Sequence, residues 1–245
     1  VYEVEVTASD GNGGSAAQTI LVTVTDVNEA PTLVTLSNSS LDEHTDTSAG
    51  VTVGALTTSD PDAVDTTSYA INGGADAASF SIGGAGSDEL ILTDGILDFE
   101  TQSSYSVAVR VTDSGGLTYD ETLTVNVNDL NETPTDIAPN SFAVDENTDT
   151  TSGFSLGALT ATDEDGGETF TYSINGGADA ASFSIGGAGS DELILTDGVL
   201  DFETQSSYSV IVRVTDSGGN TYDETLTVNV NDLNETPTDI TPDSF

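Results

Sequence analysis

The chain has 245 residues, and its 43 Asp and Glu residues against two Lys and Arg residues give it a formal net charge of −41. This charge excludes nucleic acid as a partner, because proteins bind phosphate backbones through Lys and Arg. Without a single cysteine the chain can form neither disulfides nor thiolate metal sites, and no apolar stretch approaches the roughly 18 residues of a transmembrane helix, so we expect no membrane insertion.

An internal repeat organises the sequence. Residues 69–137 match residues 172–240, a shift of 103 positions, with only four differences. A repeat of this length fits one sandwich domain, whereas helical solenoid repeats are about 20–47 residues long. We therefore predict two whole repeats at 32–134 and 135–237, preceded by the C-terminal part of an earlier repeat at 1–31 and followed by the start of another at 238–245. The chain should accordingly be a section of a longer array.

The predicted elements within a repeat are strands. Ile82–Leu92 is predicted as two strands around a glycine-rich loop, and we prefer this hairpin to a calcium β-roll because the matching nonapeptide occurs once per repeat instead of in tandem. Apolar residues then alternate with polar ones from Tyr105 to Val111 and from Leu123 to Val127, with a turn at 113–116. The predicted fold class is all-β, as tandem seven-strand Greek-key sandwiches arranged end to end.

The acids gather in short clusters at predicted strand ends and repeat boundaries, whereas a merely solubilising surface would scatter them. In Asp98-Phe99-Glu100 an extended backbone would put both carboxylates on one side, where their repulsion requires a cation between them. Ca²⁺ suits such a site, since it takes about 6–8 oxygen ligands with tolerant geometry.

These motifs, in this order, resemble the calcium sites of bacterial cadherin-domain proteins, and the resemblance covers nearly the whole chain. Such a site lies between consecutive repeats and combines an early Glu, an Asp-x-Glu motif, an Asp-x-Asn-Asp-Asn-type linker, and an Asp-x-Asp motif with one further Asp from the next repeat. The resemblance implies one complete Ca²⁺ site with these ligands: Glu43, Asp98, Glu100, Asp129, Asn131, Glu132, Asp163, Asp165 and Asp216. The sequence departs from the family linker in Glu132 and Thr133, which replace its second Asp and its final Asn.

Two half sites follow from the same resemblance. The N-terminal one would use the linker and the acids that follow it: Asp26, Asn28, Glu29, Asp60, Asp62 and Asp113. The C-terminal one would use the corresponding acids of the second repeat and the next linker: Glu146, Asp201, Glu203, Asp232, Asn234 and Glu235.

The resemblance implies a calcium-binding, calcium-rigidified repeat region of a secreted or surface adhesin or filament, which mediates adhesion or acts as a structural spacer outside the cell or at its surface. Its partners would be adjacent repeats of the same long chain, and further copies through homophilic or filament self-association. The alternative is a carbohydrate- or protein-binding module of a secreted multidomain protein, although the sequence has no Trp for a sugar-binding face. We expect no enzyme and no catalytic residue, since the single histidine, His44, has Asn147 as its counterpart in the next repeat.

Overall fold

The computed structural model describes residues 1–62 and 65–237. The chain divides into two compact units, Val1–Asn128 (unit 1) and Asp129–Phe245 (unit 2). The predicted start of a further repeat, residues 238–245, lies outside the described residues. Within the described ranges the helical segments are two 3-10 turns, Ala77–Ser79 and Ala180–Ser182. In the same ranges we find no helix with the length and apolar character that crossing a bilayer would require.

Unit 1 begins with an antiparallel hairpin of two exposed strands, β1 (Tyr2–Ser9) and β2 (Ser15–Val22). Its remaining strands form a sandwich of two four-stranded sheets with the orders β4-β10-β9-β6 and β3-β5-β8-β7. The bounds of these strands are β3 Leu33–Leu36, β4 Ser40–Asp42, β5 Val51–Ser59, β6 Ser68–Gly73, β7 Phe80–Gly83, β8 Glu89–Leu92, β9 Ser104–Thr112 and β10 Thr118–Asn128.

Unit 2 repeats this arrangement. The sheet β12-β19-β18-β15 corresponds to the first sheet of unit 1, and the strand corresponding to β5 is interrupted, which leaves the sheets β13-β17-β16 and β11-β14. The bounds are β11 Asp136–Ala138, β12 Ser141–Asp145, β13 Phe154–Ala158, β14 Thr160–Thr162, β15 Thr171–Gly176, β16 Phe183–Gly186, β17 Glu192–Leu195, β18 Ser207–Thr215 and β19 Thr221–Asn231. The predicted all-β sandwich fold is thus confirmed.

The core follows from the period-two alternation of the long strands. In β9 the residues Tyr105, Val107, Val109 and Val111 are buried while the residues between them are half-buried. Burying a Val side chain contributes about 1.5–3 kcal/mol, so these positions hold β9 firmly against the facing sheet. Phe80 packs edge-on against Tyr105, with ring centroids 6.3 Å apart, within the same core.

The first strand of each sandwich is divided between the two sheets. In unit 1, β3 pairs antiparallel with β5, whereas β4 pairs parallel with the last strand, β10. Three residue pairs join β4 to β10, and five join the equivalent strands β12 and β19 of unit 2. The first and last strands of a sandwich therefore run side by side in the same direction.

Candidate metal centres

The first acidic group of unit 1 brings a linker segment onto the turns of the sandwich. We call it the linker cluster of unit 1, and it consists of Asp26, Asn28, Glu29, Asp60, Asp62 and Asp113. The Asn28 side-chain amide donates to Asp113 Oδ2 at 2.9 Å, and the Glu29 backbone N–H donates to Asp62 Oδ2 at 2.8 Å. Carboxylate oxygens of Asp26, Glu29 and Asp62 lie within 4.8 Å of one another. All six predicted ligands of this half site therefore lie in one region of unit 1.

Unit 2 contains the equivalent linker cluster: Asp129, Asn131, Glu132, Asp163, Asp165 and Asp216. The Asn131 amide donates to Asp216 Oδ2 at 3.0 Å, and the Glu132 backbone N–H donates to Asp165 Oδ2 at 2.8 Å. A Cβ atom on Gly218 would lie 1.8 Å from Asn131 Oδ1, so only glycine leaves room for that side chain. The linker is thus fixed to the turn that follows β18. Asp129 is exposed at the start of the linker.

Within the linker cluster of unit 1, the pKa values of Glu29 and Asp113 are shifted in opposite directions. Repulsion from Asp62, with a smaller contribution from desolvation, raises the pKa of Glu29. At Asp113 burial acts to raise the pKa, but hydrogen bonds from Asn28 and from backbone N–H groups outweigh it and lower the pKa. Asp113 is therefore held as an anion while Glu29 bears unrelieved repulsion from its neighbour.

Two atoms of these clusters test whether a cation fits. Among residues 1–62 and 65–237, the Oδ2 atoms of Asp60 and Asp163 are buried and have no hydrogen-bond partner. A buried carboxylate oxygen beside other carboxylates is unfavourable unless a positive charge accompanies it. The chain has two arginines and no lysine, and both arginines are paired elsewhere. The Nε atom of Arg110 lies 2.7 Å from Asp120 Oδ1, and that of Arg213 lies 2.7 Å from Asp223 Oδ1. The donor set consists of hard oxygens and fits Ca²⁺.

A second kind of acidic group surrounds the Asp-x-Glu motif. We call it the turn cluster; in unit 1 it consists of Glu43, Asp98 and Glu100, whose carboxylate oxygens lie within 4.8 Å of one another. The expectation of an extended backbone at Asp98-x-Glu100 is wrong, because residues 99–101 form a turn in which the Gln102 N–H donates to the Asp98 carbonyl. Asp98 stabilises this turn by accepting hydrogen bonds from the N–H and hydroxyl of Thr101, at 2.8 and 2.7 Å.

The equivalent turn cluster of unit 2 includes the next linker: Glu146, Asp201, Glu203 and Glu235. Glu146 is buried, with 3% of its surface exposed, and it accepts backbone N–H groups of Leu233 and Phe202, which lower its pKa. Its contact with Glu146, followed by burial, raises the pKa of Glu235. Asp232 and Asn234 lie exposed in the same linker, where the Asn234 amide donates to the Glu235 carbonyl at 3.4 Å.

The nine ligands predicted for the complete site fall in both units, with Glu43, Asp98 and Glu100 in the turn cluster of unit 1 and the other six in the linker cluster of unit 2.

The sequence analysis missed two residues that contribute to the linker clusters. Asp65 lies with Asp60 and Asp113, and Asn220 donates its amide to the carbonyls of Asn131 and Glu132 at 2.9 and 2.8 Å. The Leu117/Asn220 difference between the repeats was the one available signal for the second.

Comparison with known proteins places these features in a family. The family model "Cadherin domain" matches residues 40–128 and 140–231. The Protocadherin-like wing polarity protein stan of Drosophila melanogaster is 29% identical over an alignment of 251 positions. The alignment covers 96% of this chain and 7% of that protein, so the chain spans less than a tenth of the relative. Among solved structures, Protocadherin Gamma B2 extracellular cadherin domains 1-5 give a TM-score of 0.62 at 21% identity, covering 96% of this chain and 46% of that one. The Protocadherin gammaB7 EC3-6 cis-dimer structure gives 0.58 at 24% identity, covering 94% and 58%.

Proposed function

Because the chain belongs to the cadherin domain family, we propose that it is a calcium-binding region of tandem extracellular repeats, with an adhesive or spacing role and no enzymatic activity. The observation that carries the proposal is the pair of buried Oδ2 atoms of Asp60 and Asp163, which have no hydrogen-bond partner within the described part of the chain. Each lies in an acidic cluster that no Lys or Arg side chain of the protein neutralises.

The ligands of this proposal are those that the resemblance assigned, in the linker and turn clusters of both units. A bound Ca²⁺ supplies positive charge between carboxylates that otherwise repel one another by about 1–4 kcal/mol per pair at surface-like dielectric. The protein's own residues position the linkers, since Asp216 holds Asn131 and Asp165 holds the backbone of Glu132. Calcium bound there would stiffen the linker, and chelation would release it.

We propose the repeat boundaries 32–134 and 135–237, and a location outside the cell or at its surface. Self-association through copies of this chain is part of the proposal, supported by the similarity to a protocadherin solved as a cis-dimer. The relatives named above include an animal protein, and the bacterial source stays a prediction of the sequence resemblance.

The test is a calcium titration of the 245-residue chain after chelation, with bound-ion stoichiometry as the readout. We expect saturable binding, and we expect Asp98→Ala/Glu100→Ala to abolish binding of at least one ion because these side chains share a site with Glu43. The matched control is Asp88→Ala/Glu89→Ala, which makes the same charge change in the β7–β8 hairpin and should bind like the unaltered chain. Absence of saturable binding to the unaltered chain would leave the acids as surface charge and favour the alternative of a binding module.

A further inference from the structure

The two sandwiches differ at the loop that carries the Asp-x-Asp motif. Residues 69–137 and 172–240 are nearly identical, yet the preceding loop reads Asp-Pro-Asp-Ala-Val-Asp at 60–65 and Asp-Glu-Asp-Gly-Gly-Glu at 163–168. The last position of this loop is therefore Asp65 in unit 1 and Glu168 in unit 2. Neither residue belongs to the ligand motifs that the resemblance assigned.

Asp65 contributes a carboxylate to the linker cluster of unit 1. Oxygens of Asp60, Asp65 and Asp113 lie within 4.8 Å of one another. Asp65 Oδ1 accepts the Ser114 hydroxyl at 2.8 Å, whereas its Oδ2 is buried and, in the ranges that the structure describes, has no hydrogen-bond partner. Asp60 and Asp65 thus each present an unsatisfied oxygen beside the anionic Asp113. Three converging carboxylates with two unsatisfied oxygens form an arrangement that a divalent cation would stabilise.

Glu168 contacts protein donors in the equivalent position. Its Oε2 atom accepts the Ser217 backbone N–H at 2.8 Å and also the Ser217 hydroxyl. The longer glutamate side chain reaches the turn after Asp216, and its carboxylate charge is satisfied there by two donors. The unit 2 linker is secured in another way, through the Asn220 amide, where unit 1 has the exposed Leu117.

We propose that Asp65 is an additional cation ligand of the linker cluster of unit 1, whereas Glu168, at the equivalent position of unit 2, is not a ligand. The inference rests on the proposed function, because it assumes that these clusters hold Ca²⁺. Calcium affinity rises with the number of charged ligands, so the linker cluster of unit 1 should bind Ca²⁺ more weakly without Asp65, whereas the Glu168 carboxylate is directed to Ser217. Two repeats that are almost identical would in this way use different ligands in their linker clusters.

The experiment follows the amide signals of Ser114 and Ser217 in the ¹⁵N-labelled 245-residue chain during titration with CaCl₂ after chelation. These amides lie beside Asp113 and Asp216 and report on the two clusters separately. In the unaltered chain we expect both signals to shift as calcium is added and to saturate. Asp65→Asn should raise the apparent Kd at Ser114 by about tenfold and leave the Kd at Ser217 within about twofold.

Glu168→Gln is the matched control, since it removes one negative charge at the equivalent position. It should leave the Kd at Ser217 within about twofold. Equal shifts from the two variants would overturn the inference, because both acids would then act only through their charge. An unchanged Kd at Ser114 in Asp65→Asn would overturn it as well, while saturable binding by the unaltered chain would preserve the proposed function. No saturable binding by the unaltered chain would overturn both.

Discussion

Asp197 connects the buried Tyr208 to two further segments of unit 2. The Tyr208 hydroxyl donates to Asp197 Oδ2 at 2.7 Å, and Asp197 Oδ1 accepts the Ser182 hydroxyl at 2.8 Å. The Asp197 backbone N–H donates to the Thr150 hydroxyl, also at 2.8 Å. Burial, and then the hydrogen bond to Asp197, raise the pKa of Tyr208, so the phenol stays protonated and remains the donor. Tyr105 and Asp94 form the same contact in unit 1.

Removal of this hydroxyl should destabilise unit 2. We expect Tyr208→Phe to lower the free energy of unfolding by about 1–3 kcal/mol, because a carboxylate acceptor loses its donor at a site where Tyr208 is only 4% exposed. The measurement is urea denaturation followed through amide signals of unit 2. Tyr222→Phe is the control, since the Tyr222 hydroxyl also donates to a carboxylate, that of Glu224 at 2.7 Å, but Tyr222 is not fully buried. A loss at Tyr208 no larger than at Tyr222 would contradict the expectation.

At the scale of single residues, the sequence predicted most members of the acidic clusters and missed others, for a physical reason. The carboxylates of the linker and turn clusters were predicted because they belong to motifs with fixed spacing. Asp65 was not, because nothing in its neighbourhood of sequence indicates that it approaches Asp113, which lies 48 positions along the chain. Contacts of this range depend on the sandwich topology, and a pattern within one segment does not contain them.

Among the elements, the long strands were the most predictable. In β9 and β10, Val alternates with other residues, which gives each strand one buried face whichever strand it pairs with. The period-two pattern was therefore enough to predict these two strands. The prediction of an extended backbone at Asp98–Glu100 is wrong, because Asp98 accepts hydrogen bonds from the Thr101 N–H and hydroxyl and so favours a turn. The side-chain hydrogen bond overrides the backbone conformation that was assumed.

The loop after β15 requires a glycine at position 177. Gly177 has φ 105°, and a Cβ atom there would lie 2.6 Å from Val210 Cα and 2.7 Å from Ser209 O of the neighbouring strand. We expect Gly177→Ala to lower the free energy of unfolding of unit 2 by more than about 2 kcal/mol, through backbone strain and steric conflict.

The same urea titration with unit 2 amide signals measures this effect, in calcium-free buffer. Gly166→Ala is the control, because a Cβ atom at Gly166 meets nothing within 4 Å and its φ is not in the left-handed region. Its free energy of unfolding should change by no more than about 0.5 kcal/mol. Similar losses for both variants would show that the close approach of Gly177 to β18 does not matter.

At the scale of the whole molecule, the net charge of −41 is explained by where the acidic residues lie along the chain. Each arginine neutralises an aspartate on the outer face of a strand pair, so neither arginine is paired with a carboxylate of the acidic clusters. The repeat organisation was visible in the sequence because the copies have diverged so little. The interruption between β13 and β14 was not, since the equivalent residues of unit 1 form the continuous strand β5.

The parallel pairing of first and last strands determines how a sandwich would respond to force. When the two ends of a sandwich are pulled apart, parallel terminal strands slide along each other, and their interstrand hydrogen bonds are loaded together in shear; antiparallel ones would open one bond at a time. Five residue pairs join β12 to β19, against three between β4 and β10. Unit 2 should therefore rupture at the higher force when single molecules are stretched in chelator, and two events of equal force would contradict this. The length of one short strand would then set the order in which neighbouring repeats yield under tension.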